Sequence, residues 1–399
     1  MYKIINRKKL IATIAADIIG NIIFFPKLVF KKNKVISSKE IKDILIIRTA
    51  YIGDVIMTLP ILKPLKELYP YARITFLTSY SAKDIIINNP YIDEILTYNA
   101  FWFYPKSFKN AIKEYRGFLN VLRSKSYDLV IEARADIRDV IFLAYRSKGR
   151  YRISYKVGGG GYLLTHIVPY KALKHKVEYH LDIVRYLGCK CEEIEWGIYL
   201  TKDEELKTDK LLTQTGIPHN RPLFAIHPGA RKELKCWFSK GYATLSDALI
   251  DKYDASLVII GSPDEIGLAE KVSKMMKKKA VILAGKITLR ETAGILKRCN
   301  LFICNDSAPM HIAAAMKTPT VAIFGPSKSN ETGPYGNIHR VVEKDFPCRY
   351  TCDEDVCLDK INNECMNAIT PEDLFNAVKD IMNEIADKGL KLPEKILKG

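Results

Sequence analysis

No uninterrupted apolar run in this 399-residue chain reaches the roughly 20 residues that a helix needs to cross a bilayer. The nearest candidate, Leu10–Phe25, is broken by Asp17 and Asn21 and carries no small-residue cleavage site, so neither a membrane span nor a secretion signal is expected. Acid is in short supply: 45 Asp and Glu stand against 62 Lys and Arg, a formal charge of +17 that favours anionic partners. Zinc-finger and RNP signatures are missing, and the basic residues are scattered instead of interleaved with aromatics. Nucleic acid therefore drops out, leaving phosphorylated metabolites and an acidic membrane face. Nine cysteines without a secretion signal fit a reduced, cytoplasmic setting better than a disulfide framework.

What is present points to two domains, since the chain exceeds the size one core usually supports and 48% of it is hydrophobic. Residues 1–40 stand apart. Lys3, Arg7, Lys8 and Lys9 precede the apolar stretch, and Lys27, Lys31, Lys32 and Lys34 follow it. A basic amphipathic helix in the interface of an anionic membrane is expected here; the alternative is an extra helix packed on the first domain.

Strands at Asp43–Arg48, Arg73–Thr78, Glu94–Tyr98, Asp128–Ala133 and Tyr151–Ser154 alternate with helices, notably Val55–Leu68, Phe108–Arg123 and His175–Leu187. The polar segment Thr201–Arg221 reads as the crossing between halves. A second series follows: strands Leu223–His227, Ser256–Gly261, Ala280–Leu283, Leu301–Asn305 and Thr320–Phe324, with helices between them and a closing helix at Pro371–Asp387. Such alternation implies α/β domains with parallel sheets covered on both faces. The boundaries are 41–202 for the first domain and 203–385 for the second, with a loose basic tail at 386–399.

In DILIIRTAYIGDVIMTLP, an apolar strand runs into a tight turn at Gly53, and Asp54 follows at the mouth of a helix. Ligands of open α/β sheets gather beyond the carboxyl ends of the strands, so Asp54 is a candidate catalytic base; the bland alternative is a helix cap. In the second half, CNDSAPMH opens a helix, and Asp306 or Ser307 can cap it. The free N–H groups of Ser307 and Ala308 at the positive end of the dipole suit a diphosphate, with His311 in reach. The alternative is an ordinary capped helix with a core-facing histidine. The strand Leu223–His227 leads into PGARKELKCW, where Gly229 and Ala230 allow close backbone approach and Arg231, Lys232 and Lys235 supply cations, unless they are plain solvated surface. Glu265, after the next strand, can accept hydrogen bonds from ribose hydroxyls.

These motifs, with GYLLTHIVP, HKVEYHLDIVRYLG, NDSAPMHIAAAMKTPTVAIFGPS and ECMNAITPEDL in the same order, resemble glycosyltransferase family 9, the heptosyltransferases of lipopolysaccharide assembly. The resemblance implies a GT-B architecture: two Rossmann-like doubly wound domains facing across a cleft, acceptor on the amino-terminal side and nucleotide-sugar donor on the carboxyl-terminal side. It implies Asp54 as general base and Lys235 as the cation assisting the donor phosphates. Asp306, Ser307, Ala308 and His311 then form the diphosphate-binding helix start, and Glu265 stands at the ribose. Gly229 and Ala230 occupy a loop where the best-known pattern has hydroxyl side chains, so backbone N–H groups must serve there. Gly53, and Asp136 and Arg138 after strand Asp128–Ala133, are read as acceptor contacts, against a solvated helix start for the last two.

The implied reaction is inverting transfer of heptose from ADP-heptose to a lipopolysaccharide core or related glycolipid at the cytoplasmic face of the inner membrane. No cofactor is required, and fixed cations and amides replace a divalent metal, since no DxD-type pair stands at the donor edge. Rival expectations are a nucleotide-sugar epimerase of the same fold and a non-catalytic, membrane-attached nucleotide-sugar-binding protein. Cys348, Cys352, Cys357 and Cys365 could hold a structural zinc, although they lack paired C-x2-C knuckles; free or redox-active thiols are the other reading.

Overall fold

A computed structural model of the chain describes residues 2–4, 6–26, 36–192, 194–218, 220–336, 338–350, 352, 356–357 and 363–388. The lysines expected to flank the first helix at positions 27–34, and the tail beyond 388, lie outside the described residues. The chain divides into two compact units, Met1–Tyr199 and Leu200–Gly399.

The first unit is built on a six-stranded sheet of β1 (Asp43–Arg48), β2 (Arg73–Thr78), β3 (Glu94–Thr97), β4 (Leu129–Glu132), β5 (Tyr151–Ser154) and β6 (His166–Ile167). Its order is β3-β2-β1-β4-β5-β6, and every pairing is parallel. A parallel strand covered by helices on both faces must be apolar at every position, not at alternate ones. Ile44, Leu45, Ile46 and Ile47 of β1 meet that demand with no solvent exposure.

The second unit repeats the plan with β7 (Leu223–His227), β8 (Ser256–Ile259), β9 (Val281–Ile282), β10 (Leu301–Asn305), β11 (Thr320–Phe324) and β12 (His339–Glu343). The order β12-β11-β10-β7-β8-β9 is the first unit's order read from the other edge, again wholly parallel. The expected two Rossmann-like α/β domains are therefore present. In each sheet the strand order reverses between two adjacent strands, β1 and β4 in one, β7 and β10 in the other. Crossovers leave in opposite directions there and open a crevice beyond the strand ends.

Three expectations need correction. The helix expected over Val55–Leu68 begins at Ile52 and comes in pieces: Ile52–Ile56, a 3-10 turn Leu59–Ile61, and Leu62–Leu68. Pro60 and Pro64 lack the N–H groups that a single continuous helix would use there. Gly53 lies inside the first piece with ordinary helical backbone, so the turn after β1 does not depend on it. The supposed crossing Thr201–Arg221 is mostly a helix, Lys202–Gln214, with a complete Thr201/Glu204 capping box. Three ion pairs tie it to the helix Leu289–Arg298: Glu204 with Arg290, Glu205 with Lys297, Asp209 with Arg298. Thr208 sits against Gly294, where a Cβ would meet its Oγ1 at 2.2 Å.

Asn305, the last residue of β10 and fully buried, fixes the edge of the second sheet. Its Oδ1 accepts from the Trp237 N–H and the Tyr242 hydroxyl, each at 3.1 Å, while its Nδ2 donates to Pro228 O at 2.8 Å and Gly229 O at 3.2 Å. All four hydrogen-bonding capacities are used. Trp237, itself buried, donates to Ile369 O at 2.9 Å and so ties the loop after β7 to the segment before the last helix. Replacing Asn305 by Ala orphans several buried groups at once and is expected to cost about 3 kcal/mol of unfolding free energy, measured by urea denaturation; a cost under about 1 kcal/mol would show that the clamp does not carry the loop.

Candidate active sites in the two units

In the first unit the candidate base stands at the reversal point. Asp54 is the third residue of the short helix after β1, not its cap, which is Tyr51. Its Oδ1 lies 2.9 Å from Nη2 of Arg48, the last residue of β1, and 3.8 Å from Lys176 Nζ. The Asp54 side chain is 15% exposed and that of Arg48 5%. Burial alone would push the carboxyl up, but the charges of Arg48, then Lys176 and Arg134, overcome it and hold Asp54 far below the usual carboxylate range. Lys176 and His180 share one face of the helix Lys176–Tyr186, four residues apart, and both turn to this site. Buried His180 places Nδ1 2.8 Å from Met57 O. Desolvation and then the neighbouring Arg48 lower its pKa to about 3, so the ring is neutral.

The loop after β4 closes the other side. Buried Glu132 accepts from the N–H groups of Arg134 (3.0 Å) and Ala135 (2.9 Å) and from the Ser154 hydroxyl (2.6 Å). Ala135 takes a left-handed φ of 61°, and a Cβ on Gly158 would collide with its carbonyl oxygen at 1.5 Å. Burial, then the charge of Asp139, raises Glu132; burial, then Asp136, raises Asp139. Asp136 caps the turn Ile137–Asp139 and grips Arg138 through two oxygens, at 2.8 and 2.6 Å. The two expected acceptor contacts thus bind each other. Arg134, 3.9 Å above the Phe103 ring, has a buried Nη1 without a hydrogen-bond partner.

In the second unit, the loops after β7 and β10 bring the expected donor residues together. Lys235 Nζ donates to Asp306 Oδ2 at 2.8 Å, with side-chain exposures of 13% and 10%. Burial would raise Asp306, and the Lys235 charge and hydrogen bond lower it below the ordinary value. Ser307 is the N-cap of the helix Ala308–Ala315, yet neither it nor Asp306 caps through its side chain; the Ser307 hydroxyl lies 3.0 Å from His227 Nδ1. His227 Nε2 is 3.1 Å from Glu265 Oε2, which also accepts from the Ser262 N–H and hydroxyl. Burial pushes Glu265 up, but His227 and these donors hold it at about 2. Gly229 is required by this same carboxylate: a Cβ there would lie 1.9 Å from Glu265 Oε1. Ala230 follows, half-buried, and His311 is buried on the first turn of the helix, near Asp306.

Arg48, Arg134, Lys176, His180 and His227 belong to these clusters without having been expected from the sequence. Lys176 and His180 stood inside a motif already quoted, and their four-residue spacing was the available signal. The four clustered cysteines carry no disulfide, and the Cys365 thiol is raised to about 11, by burial and then by Cys348, Cys352 and Cys357. Among the described residues no group of three His, Cys, Asp or Glu side chains is arranged to hold a metal, so the zinc reading gains no ligand set.

A histidine kept neutral in the fold takes up its proton only on unfolding. The contribution of His180 is therefore present above pH 6.5, its ordinary value, and is lost as pH falls toward about 3. Chemical denaturation across that window is expected to show roughly 5 kcal/mol less pH dependence in His180→Gln than in the parent; identical slopes would contradict the buried neutral assignment.

Comparison with known proteins follows the same lines. The family description "Glycosyltransferase family 9 (heptosyltransferase)" matches residues 116–361. Lipopolysaccharide heptosyltransferase 3 of Escherichia coli K12 is 28% identical over 357 residues, covering 84% of this chain and 97% of its own length. Among solved structures, a family 9 glycosyl transferase from Veillonella parvula superposes with a TM-score of 0.74 at 21% identity, covering 86% of this chain and 97% of its own. The ADP-heptose lps heptosyltransferase II of E. coli does so with 0.67 at 21% identity, covering 85% and 98%. Two Rossmann-like sheets, charged clusters at both reversal points and a family match over most of the length make this chain a member of glycosyltransferase family 9.

Proposed function

We propose that the chain is an inverting, metal-independent glycosyltransferase that moves heptose from ADP-heptose to a lipopolysaccharide core or related glycolipid. The observation that carries the reading is the Asp54 carboxylate, held ionised at the carboxyl end of β1 by Arg48 and Lys176. Support for the donor and acceptor classes comes from family membership and from the names of its relatives.

In this mechanism the acceptor oxygen forms a bond to the anomeric carbon as the bond from that carbon to the diphosphate oxygen breaks. The acceptor proton passes to Asp54, and the negative charge to the departing ADP. Attack opposite the leaving group inverts the anomeric centre. A carboxylate as acidic as Asp54 is a weak base toward a neutral hydroxyl. It takes the proton late, once bond formation has made the attacking oxygen oxonium-like, and before that it orients the hydroxyl. On the donor side Lys235 supplies the cation, and Asp306 positions that cation and does not itself bind phosphate. The N–H groups of Ser307 and Ala308, at a helix start, complete the charge stabilisation. Glu265, oriented by His227, presents its carboxylate to the nucleotide ribose.

Two outcomes test the reading. In a panel of ADP-, UDP- and GDP-sugars, ADP-heptose is expected to raise the unfolding temperature, and Lys235→Met to remove most of that protection; equal protection by all three nucleotides would sink the donor assignment. Asp54→Asn is expected to lower turnover by about 10²–10⁴ while leaving donor protection intact, whereas turnover within about tenfold of the parent would remove Asp54 from the chemistry.

A further inference from the structure

The amino-terminal helix, Arg7–Ile23, is seated the wrong way round for a soluble protein. Its small and polar side faces inward. Thr13 and Gly20 are buried, and Asp17, the only acid on the helix, accepts from the Gly160 N–H at 2.8 Å and the Tyr2 hydroxyl at 2.6 Å. The fit is close, since a Cβ on Gly20 would overlap the Tyr162 ring at 2.1 Å and one on Gly159 would meet Thr13 Cγ2 at 2.5 Å. Phe24 anchors the end against Tyr145 and Tyr162.

The outward arc is what a folded domain normally hides. Ile11, Ile18, Ile19, Ile22, Ile23 and Phe25 are each more than half exposed. Ile11, Ile18, Ile22 and Phe25 repeat at intervals of seven, four and three, so they form one stripe directly opposite the docked side. Exposed Arg7, Lys8 and Lys9 border its start, with no carboxylate paired to them among the described residues. No described helix is long and apolar enough to cross a membrane.

We infer that this helix lies flat on an anionic lipid surface, its isoleucine stripe in the acyl boundary and Arg7, Lys8 and Lys9 among the headgroups. Charge selects lipid over a second copy of the chain. Two molecules of formal charge +17 meeting through basic-edged faces would repel, whereas acidic headgroups neutralise the same edge. The tight inward fit makes the helix a rigid part of the first unit, so binding orients that unit on the surface. The inference goes beyond the proposed reaction and does not require it.

The test uses the full chain and sedimentation with vesicles of phosphatidylcholine alone or mixed with phosphatidylglycerol, free of any glycolipid acceptor. Binding to the mixed vesicles is expected, with a loss of at least tenfold in Ile18→Asp/Ile22→Asp, whose positions are exposed and whose folding is checked by thermal unfolding. Lys8→Ala and Lys9→Ala should each weaken binding to the mixed vesicles about fivefold and leave the phosphatidylcholine result unchanged. Failure of the parent chain to sediment with mixed vesicles would overturn the inference, as would undiminished binding by the double variant. A dimer in sedimentation equilibrium that the double variant dissociates would assign the stripe to a second copy instead.

Discussion

A guanidinium at the end of a buried strand must be neutralised, and that requirement organises the first unit. Arg48 follows four residues with no solvent exposure and is itself 5% exposed at its side chain. Leaving such a charge unpaired costs about 3–5 kcal/mol, so the fold supplies Asp54 within one turn of chain. The partner is local, and its second cation, Lys176, comes from a distant helix. The carboxylate is consequently fixed in place, ionised and partly open, the three properties that the proposed base role calls for. Arg48 reaches further: Nη1 donates to Ala133 O at 3.3 Å, linking β1 to the loop after β4.

The second unit applies the same device at the same topological position with the roles exchanged. Its cation, Lys235, comes from the loop after its first strand and its carboxylate, Asp306, from the end of the fourth. In the proposed reaction the lysine serves the donor phosphates, and the carboxylate holds it. Asn305, next in the chain to Asp306, fixes the loop that carries Lys235, so the pair is built from both sides. Gly229 belongs to this arrangement because Glu265 occupies the space its side chain would need.

Most of the architecture was legible because buried parallel strands are short, continuous apolar runs, as in β1, β7, β10 and β11. The strand that escaped was β12, whose residues are mostly half-buried and show no such run. The helix Lys202–Gln214 escaped because ion pairs hold it, and its composition matches that of a linker. Motif spacing placed Asp54, Lys235 and Asp306 at the sheet edges. It could not show that Lys235 and Asp306, 71 residues apart, touch each other. Nor could it show that Arg48, which reads as an ordinary strand end, controls the charge of Asp54. Capping rules misjudged Ser307 because His227, 80 positions away, offers its hydroxyl a better-placed partner than the helix does.

The most direct test of the central claim is the ¹³C shift of the Asp54 side-chain carboxyl, assigned by difference with Asp54→Asn and followed as pH is lowered from neutral to about 4. A carboxylate anchored by Arg48 keeps its ionised shift throughout that range. A titration centred near 4 or above, the ordinary range for aspartate, would contradict the account.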